Sequence, residues 1–250
     1  MRKIQTKRPF LSEMMKNSRK ANMDKPLPPP QDVKLRMITG QKIRLSFTRF
    51  PEDLIRKNGG IPDLEKKPIF SGGFRHFVPS EFDETKRGGG YVLCKGRRDC
   101  KWCRHTDENT RYSRLSIATT VVVWPLLPNG DVDHKALYNG IFDVMPWVFG
   151  KKLYKELSIL QNEFHLGEFD IILTCDREQY QRINIRATKG NMYRKVITAS
   201  EKEQYWTDKG LSSRQAKDKM SYYGGILSSI IQDTTGFTKL LPMILGKENL

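Results

Sequence analysis

Apolar and basic residues alternate from residue 33 onward. In VKLRMITGQKIRLSF, Val33, Leu35 and Met37 share one face; after Gly40, Ile43, Leu45 and Phe47 share another. This period of two predicts strand, turn, strand, with one face buried and one basic. Pro51, Pro62, Pro68, Gly59-Gly60 and Gly72-Gly73 punctuate residues 51–73, which predicts loop. RYSRLSIATTVVVWPL at 111–126 is the strongest strand signal, rich in β-branched residues and ending at Pro125. LPNGDVD at 127–133 predicts a turn, and VMPWVF at 144–149 a short apolar strand. Leu153, Leu157 and Leu160 recur at helical spacing, so 150–164 predicts an amphipathic helix. GEFDIILTCD and QYQRINIRA predict two strands about a turn at Asp176–Gln179. The polar tail from 200 predicts a helix at 212–222, then an apolar stretch broken by Gly236 and Pro242.

The order is therefore two strands, an insert containing cysteines, a long strand, a short strand, a helix and two strands. A helix between the third and fourth strands of a small closed sheet matches an OB-fold-like barrel. The expected class is mainly β with a few helices, α+β, with a core at 31–199 and an inserted hairpin at about 70–111. A helical or irregular tail at 200–250 follows, and no internal repeat is visible.

Charge adds a third segment. Residues 1–50 hold 13 Lys and Arg against 3 acidic residues and so carry most of the net +16. MRKIQTKRPF opens a basic arm at 1–30, and KPLPPP at 25–30 predicts a stiff spacer. Each Lys or Arg near a phosphate releases a counterion, so a basic arm on a milder domain points to nucleic acid. Such an arm can add phosphate contacts or reach a neighbouring copy on the same strand, and bridging is the favoured expectation. No run approaches the roughly 18 apolar residues of a spanning helix, which predicts no membrane partner and a cytoplasmic location. A reducing compartment weakens the disulfide reading of the four cysteines and favours metal or redox readings.

Three of those cysteines sit in LCKGRRDCKWCRH at 93–105. Cys100 and Cys103 form a C-x-x-C knuckle, a spacing at which two thiolates grip one tetrahedral ion. Cys94 supplies a third ligand, and His76 or His105 a fourth. His76 is favoured, because a hairpin folded at Gly88–Gly90 returns it toward Cys94, whereas His105 lies only two residues past Cys103. The expectation is one Zn²⁺ per chain in a closed structural site. Cys175 in DIILTC predicts a buried core cysteine. A thioredoxin-like pair needs its C-x-x-C between strand and helix, and a zinc deaminase needs H-x-E, whereas Phe77-Val78 follows His76. No phosphate-binding or nucleophile-elbow motif occurs, so no enzyme is expected.

The pattern resembles the helix-destabilising single-stranded DNA-binding proteins of tailed bacteriophages, which carry a zinc subdomain spliced into an OB-fold. Their ligand order of His, Cys and C-x-x-C matches His76, Cys94, Cys100 and Cys103. GYVLCKGRRDCKWC resembles their cysteine hairpin, TRYSRLSIATTVVVW the strand after it, and GKKLYKELSIL with GEFDIILTCDREQYQRINIRA the closing helix and two strands. The likeness covers roughly residues 70–190. It implies sequence-tolerant binding of single-stranded DNA in phage replication, recombination or repair, with self-association and replication or recombination proteins as further partners. The end TKLLPMILGKENL departs from the acidic tail common in that family.

Candidate stacking rings are Tyr112, Trp124, Tyr180 and Tyr193, near Arg111, Arg114, Arg182, Arg186 and Arg194. Trp147, in an apolar run, predicts core. The apolar tail and proline-rich arm support a rival function, a zinc-stabilised adaptor for a polymerase or other protein machine.

Overall fold

The β-branched run forms the longest strand of the computed structural model, which describes residues 35, 40–50, 62–82, 90–175 and 183–245. Among the described residues seven strands make one antiparallel sheet: β1 Lys42–Phe47, β2 Ser71–Val78, β3 Gly90–Leu93, β4 Arg114–Trp124, β5 Asp143–Gly150, β6 Ile171–Cys175 and β7 Ile183–Ala187. Six α-helices lie among the described residues: α1 Glu108–Arg111, α2 His134–Tyr138, α3 Lys151–Glu163, α4 Met192–Glu201, α5 Glu203–Thr207 and α6 Ser213–Ile244. The chain is thus α+β. No helix among the described residues is long and apolar enough to cross a membrane.

The sheet runs β3-β2-β4-β1-β6-β7, and β5 pairs with β4. β4 therefore serves three partners. Its first half, Arg114–Ala118, pairs with β2, its second half, Val121–Trp124, with β1, and Ser116–Val123 with β5. A strand with neighbours on both edges and cover on both faces needs a continuous apolar run, and Ser116–Val122 is buried throughout. α6 packs on β4 and β5 and also against α4, while α3 packs on β4, β5 and β7. Leu45, Phe47, Val121, Trp147, Leu157, Leu173 and Ile230 belong to the main core.

A buried polar network ties this core together. Arg44 Nε donates to Asp170 at 2.7 Å, and the Asp170 carboxylate also accepts from the Ser46 hydroxyl and, at 3.0 Å, from the Met192 N–H. Trp124 Nε1 donates to Ser46 Oγ at 2.7 Å. Burial outweighs these partners and holds the Asp170 carboxyl above the ordinary carboxylate range.

Several expectations change. The barrel does not close: among the described residues no strand pairing joins β5 to β7. The apolar tail is not broken, because α6 runs through Gly236 and Pro242. Ile226, Ile230, Phe237, Leu241 and Ile244 are buried at helical spacing, and docking this stripe outweighs the lost hydrogen bond at an exposed proline near the end. α4 escaped the pattern reading, yet the signals are present. The Asn191 side chain caps it by accepting from the Arg194 N–H, and Met192, Val196 and Ala199 form its buried stripe. The long strand starts three residues late because Arg111 closes α1. The strand expected at 33–37 lies outside the described residues apart from Leu35, whose N–H donates to the Pro146 carbonyl at 2.9 Å. The arm at 1–30, the glycine turn at 88–89 and the turn at Asp176–Gln179 also lie outside them.

Candidate metal centre and adjoining cleft

β2 and β3 form the expected hairpin, with His76 opposite Val92 and Arg75 opposite Leu93. The next residue, Cys94, keeps the ladder going for one step, its N–H donating to the Phe74 carbonyl at 2.7 Å. The chain then turns at Gly96, whose φ is +97°, a value that favours glycine. The Gly96 carbonyl accepts from the N–H groups of Asp99 and Cys100, and a short 3₁₀ turn at Lys101–Arg104 carries Cys103 back over the hairpin.

Among the described residues, this folding brings His76, Cys94, Cys100 and Cys103 together, with all four ligand atoms within 4.8 Å of one another. Cys103 Sγ lies 3.4 Å from Cys94 Sγ and 3.4 Å from His76 Nε2. His76 Nδ1 lies 2.8 Å from the Thr110 carbonyl. A carbonyl can only accept, so Nδ1 carries the proton and Nε2 turns its lone pair toward the cysteines. A ligating histidine is held in this way by its second nitrogen. Thr110 is fixed in turn, because its N–H donates to Asp107 at the start of α1 at 2.6 Å.

The crowded thiols feel one another. Burial and the neighbouring Cys94 and Cys100 sulfurs push the Cys103 thiol up to about 12. Burial also opposes ionisation of Cys100, but backbone N–H groups of Cys103, Lys95 and Trp102 lower its pKa overall. Three sulfurs this close cannot all ionise without a cation between them, which suits the cluster to one metal ion. Val78, Cys100 and Trp102 form a small core beside it, separate from the main one.

His105 stays outside the cluster. Its Nδ1 accepts from the Asp107 N–H at 3.1 Å, and its ring packs against Phe82 and Trp102. Cys175 is buried in the main core, as is Trp147.

Beside the centre opens a cleft of about 520 Å³ lined by Phe74, Cys94, Arg97, Cys103, Arg111 and Tyr112, together with Gly96 and Ser113. Phe74 is 54 % exposed and Tyr112 65 %. The Arg114 guanidinium stands 5.9 Å from the centroid of the Tyr112 ring. Three of the predicted contact residues, Arg111, Tyr112 and Arg114, thus come together. Phe74 and Arg97 join them, neither of which pattern reading singled out.

The remaining predicted residues do not gather here. Trp124 is 2 % exposed and hydrogen-bonded in the core, so its ring has no free face. Tyr193 is 1 % exposed on the inner stripe of α4, where burial raises its phenol pKa. Arg194 is engaged with Glu65 at 2.8 Å and the Gly167 carbonyl at 3.3 Å, so it braces a loop. Arg186 is exposed on β7 and lines a separate cleft of about 470 Å³ with Lys42 and Thr174. Tyr180 and Arg182 lie outside the described residues. No family model, curated protein or solved structure matches the chain.

Proposed function

We propose that this protein binds single-stranded DNA with little sequence preference, through the cleft beside a structural zinc centre. The observation that carries this reading is the pairing of two exposed rings, Phe74 and Tyr112, with Arg97 and Arg111 in one cleft. Exposed rings stack on unpaired bases of any identity, and flanking arginines follow the phosphates. A duplex hides its base faces, so the rings favour single strands.

The zinc assignment rests on donor chemistry. Three thiolates and one imidazole suit Zn²⁺, and tetrahedral Zn–S bonds of about 2.3 Å place sulfurs about 3.8 Å apart. The 3.4 Å sulfur separation and the 4.8 Å limit on the whole set bracket that value. Four protein ligands leave no open position, so the ion organises the hairpin and performs no chemistry.

The strand path supports an OB-like arrangement. β5-β4-β1-β6-β7 has the neighbour order of such a fold, α3 follows its third strand, and the metal insert enters between its first and second. The seam between β5 and β7 is the part left open, with α3 packed against both strands.

Titrating a labelled oligonucleotide at several salt concentrations tests the function. Affinity is expected to fall linearly on a log–log plot, with a slope of about −0.7 per phosphate contact on single strands. Tyr112→Ala is expected to weaken binding roughly ten-fold, the loss of one stacked base, without affecting the fold. Arg111→Ala is expected to flatten the salt slope. Equal affinity for duplex and single strand, or no dependence on salt, rules the proposal out.

A further inference from the structure

The floor of the cleft is the metal centre itself. Cys94 and Cys103 line the cleft and are half-buried, whereas His76 and Cys100 are buried. Two of the three ligand sulfurs therefore meet whatever enters. With a divalent ion, three thiolates and a neutral imidazole, the centre carries a net charge of about −1. Such a floor repels a phosphate and attracts hydrogen-bond donors.

The rim is the reverse. Arg97 and Arg111 line it, and Arg114 stands beside the Tyr112 ring. A nucleotide is divided in the same sense. Its phosphate is anionic, while its base edge offers N–H donors and its base face a surface for stacking. A cleft of about 520 Å³ is within the size range of small-ligand sites.

We propose that the cleft takes one unstacked base of the bound strand, its edge toward the Cys94 and Cys103 sulfurs and its phosphate on the arginine rim. This rests on the single-strand reading above. A base whose N–H groups donate to the Cys94 and Cys103 sulfurs covers the two ligands that the cleft exposes. Coupling between two binding equilibria is reciprocal, so a bound strand tightens metal binding, expected to appear as slower release, and a bound metal tightens strand binding.

The experiment follows zinc release from the full-length, zinc-loaded chain to a coloured chelator, with anisotropy on the same samples to report binding. The probes are an oligodeoxycytidine, an abasic strand of equal length, and no strand. The oligodeoxycytidine is expected to slow release at least about five-fold, the lower end of typical site coupling. The abasic strand supplies phosphates without bases and is expected to leave the rate unchanged. Tyr112→Ala is expected to retain zinc as the parent does and to lose the protection. A strand that binds without changing the rate overturns this inference and leaves the function standing. Equal protection by the abasic strand also overturns it, because phosphate occlusion then suffices. Absence of binding by any strand removes the function and this inference together.

Discussion

An Asp170→Ala protein is expected to lose about 3–5 kcal/mol of stability, because one half of a buried ion pair is left behind. The whole stability of such a domain is on the order of 5–15 kcal/mol, so the variant sits near the edge of folding. The loss follows from what each partner can do alone. Without Asp170, a largely buried guanidinium loses the anion it is paired with. The Ser46 hydroxyl and the Met192 N–H lose their acceptor too. Arg44→Met is expected to cost much less, because the buried carboxyl answers by taking up a proton. Its pKa is already raised by burial, and removing the cation raises it further. The sign of the pH dependence follows. With the folded-state value above the unfolded one, the Arg44→Met protein is most stable below the ordinary carboxylate range and weakens as pH rises through the folded value. Denaturant midpoints of both variants across pH 4–8 check this; equal losses for the two substitutions would contradict it.

The metal centre was legible because its geometry is local. A C-x-x-C knuckle, a glycine turn and a histidine facing the returning strand define four candidate ligands within 28 residues, His76 to Cys103. The cleft was only partly legible. Tyr112 and its arginines lie in a polar stretch, and polarity predicts exposure there. Phe74 could not be assigned from period two, because it has the same strand parity as His76 yet is exposed while His76 is buried. What decides between them is the cover. The cysteine turn covers His76 and Val78 and stops short of Phe74. Tyr193 lies next to Arg194, and Trp124 ends the strand that Arg114 begins, but position in sequence does not set exposure. On β4 both faces are buried, and on α4 Tyr193 joins the inner stripe. Closure of the sheet was the least legible feature. Pairing between β5 and β7 depends on strands separated by a helix and the strand β6, and no local pattern encodes it.

Replacing Cys100 by serine is expected to lower zinc affinity by well over 100-fold, since loss of a supporting hydrogen bond alone costs 10–100-fold. Elemental analysis of the parent protein is expected to give one zinc per chain, and the variant far less after dialysis. The structural consequence is confined by the packing. The small core of Val78, Cys100 and Trp102 offers little apolar surface to hold the insert folded, so a bound ion is expected to supply that stability. The main core is a separate cluster and stays folded. Hydrogen exchange is therefore expected to quicken across 76–82 and 90–111 and to remain slow in Val121–Trp124. One distant segment is expected to respond as well. Arg75, adjacent to the ligand His76, is buried and donates through Nη1 to the Ile244 carbonyl at 3.0 Å, closing the C-terminal end of α6. Loss of metal frees that arginine from its strand position and leaves the helix end without its donor. Faster exchange in the last turn of α6, matched by chelation of the parent protein, is the expected signature. An insert that keeps slow exchange without metal would show that the hairpin folds on its own contacts.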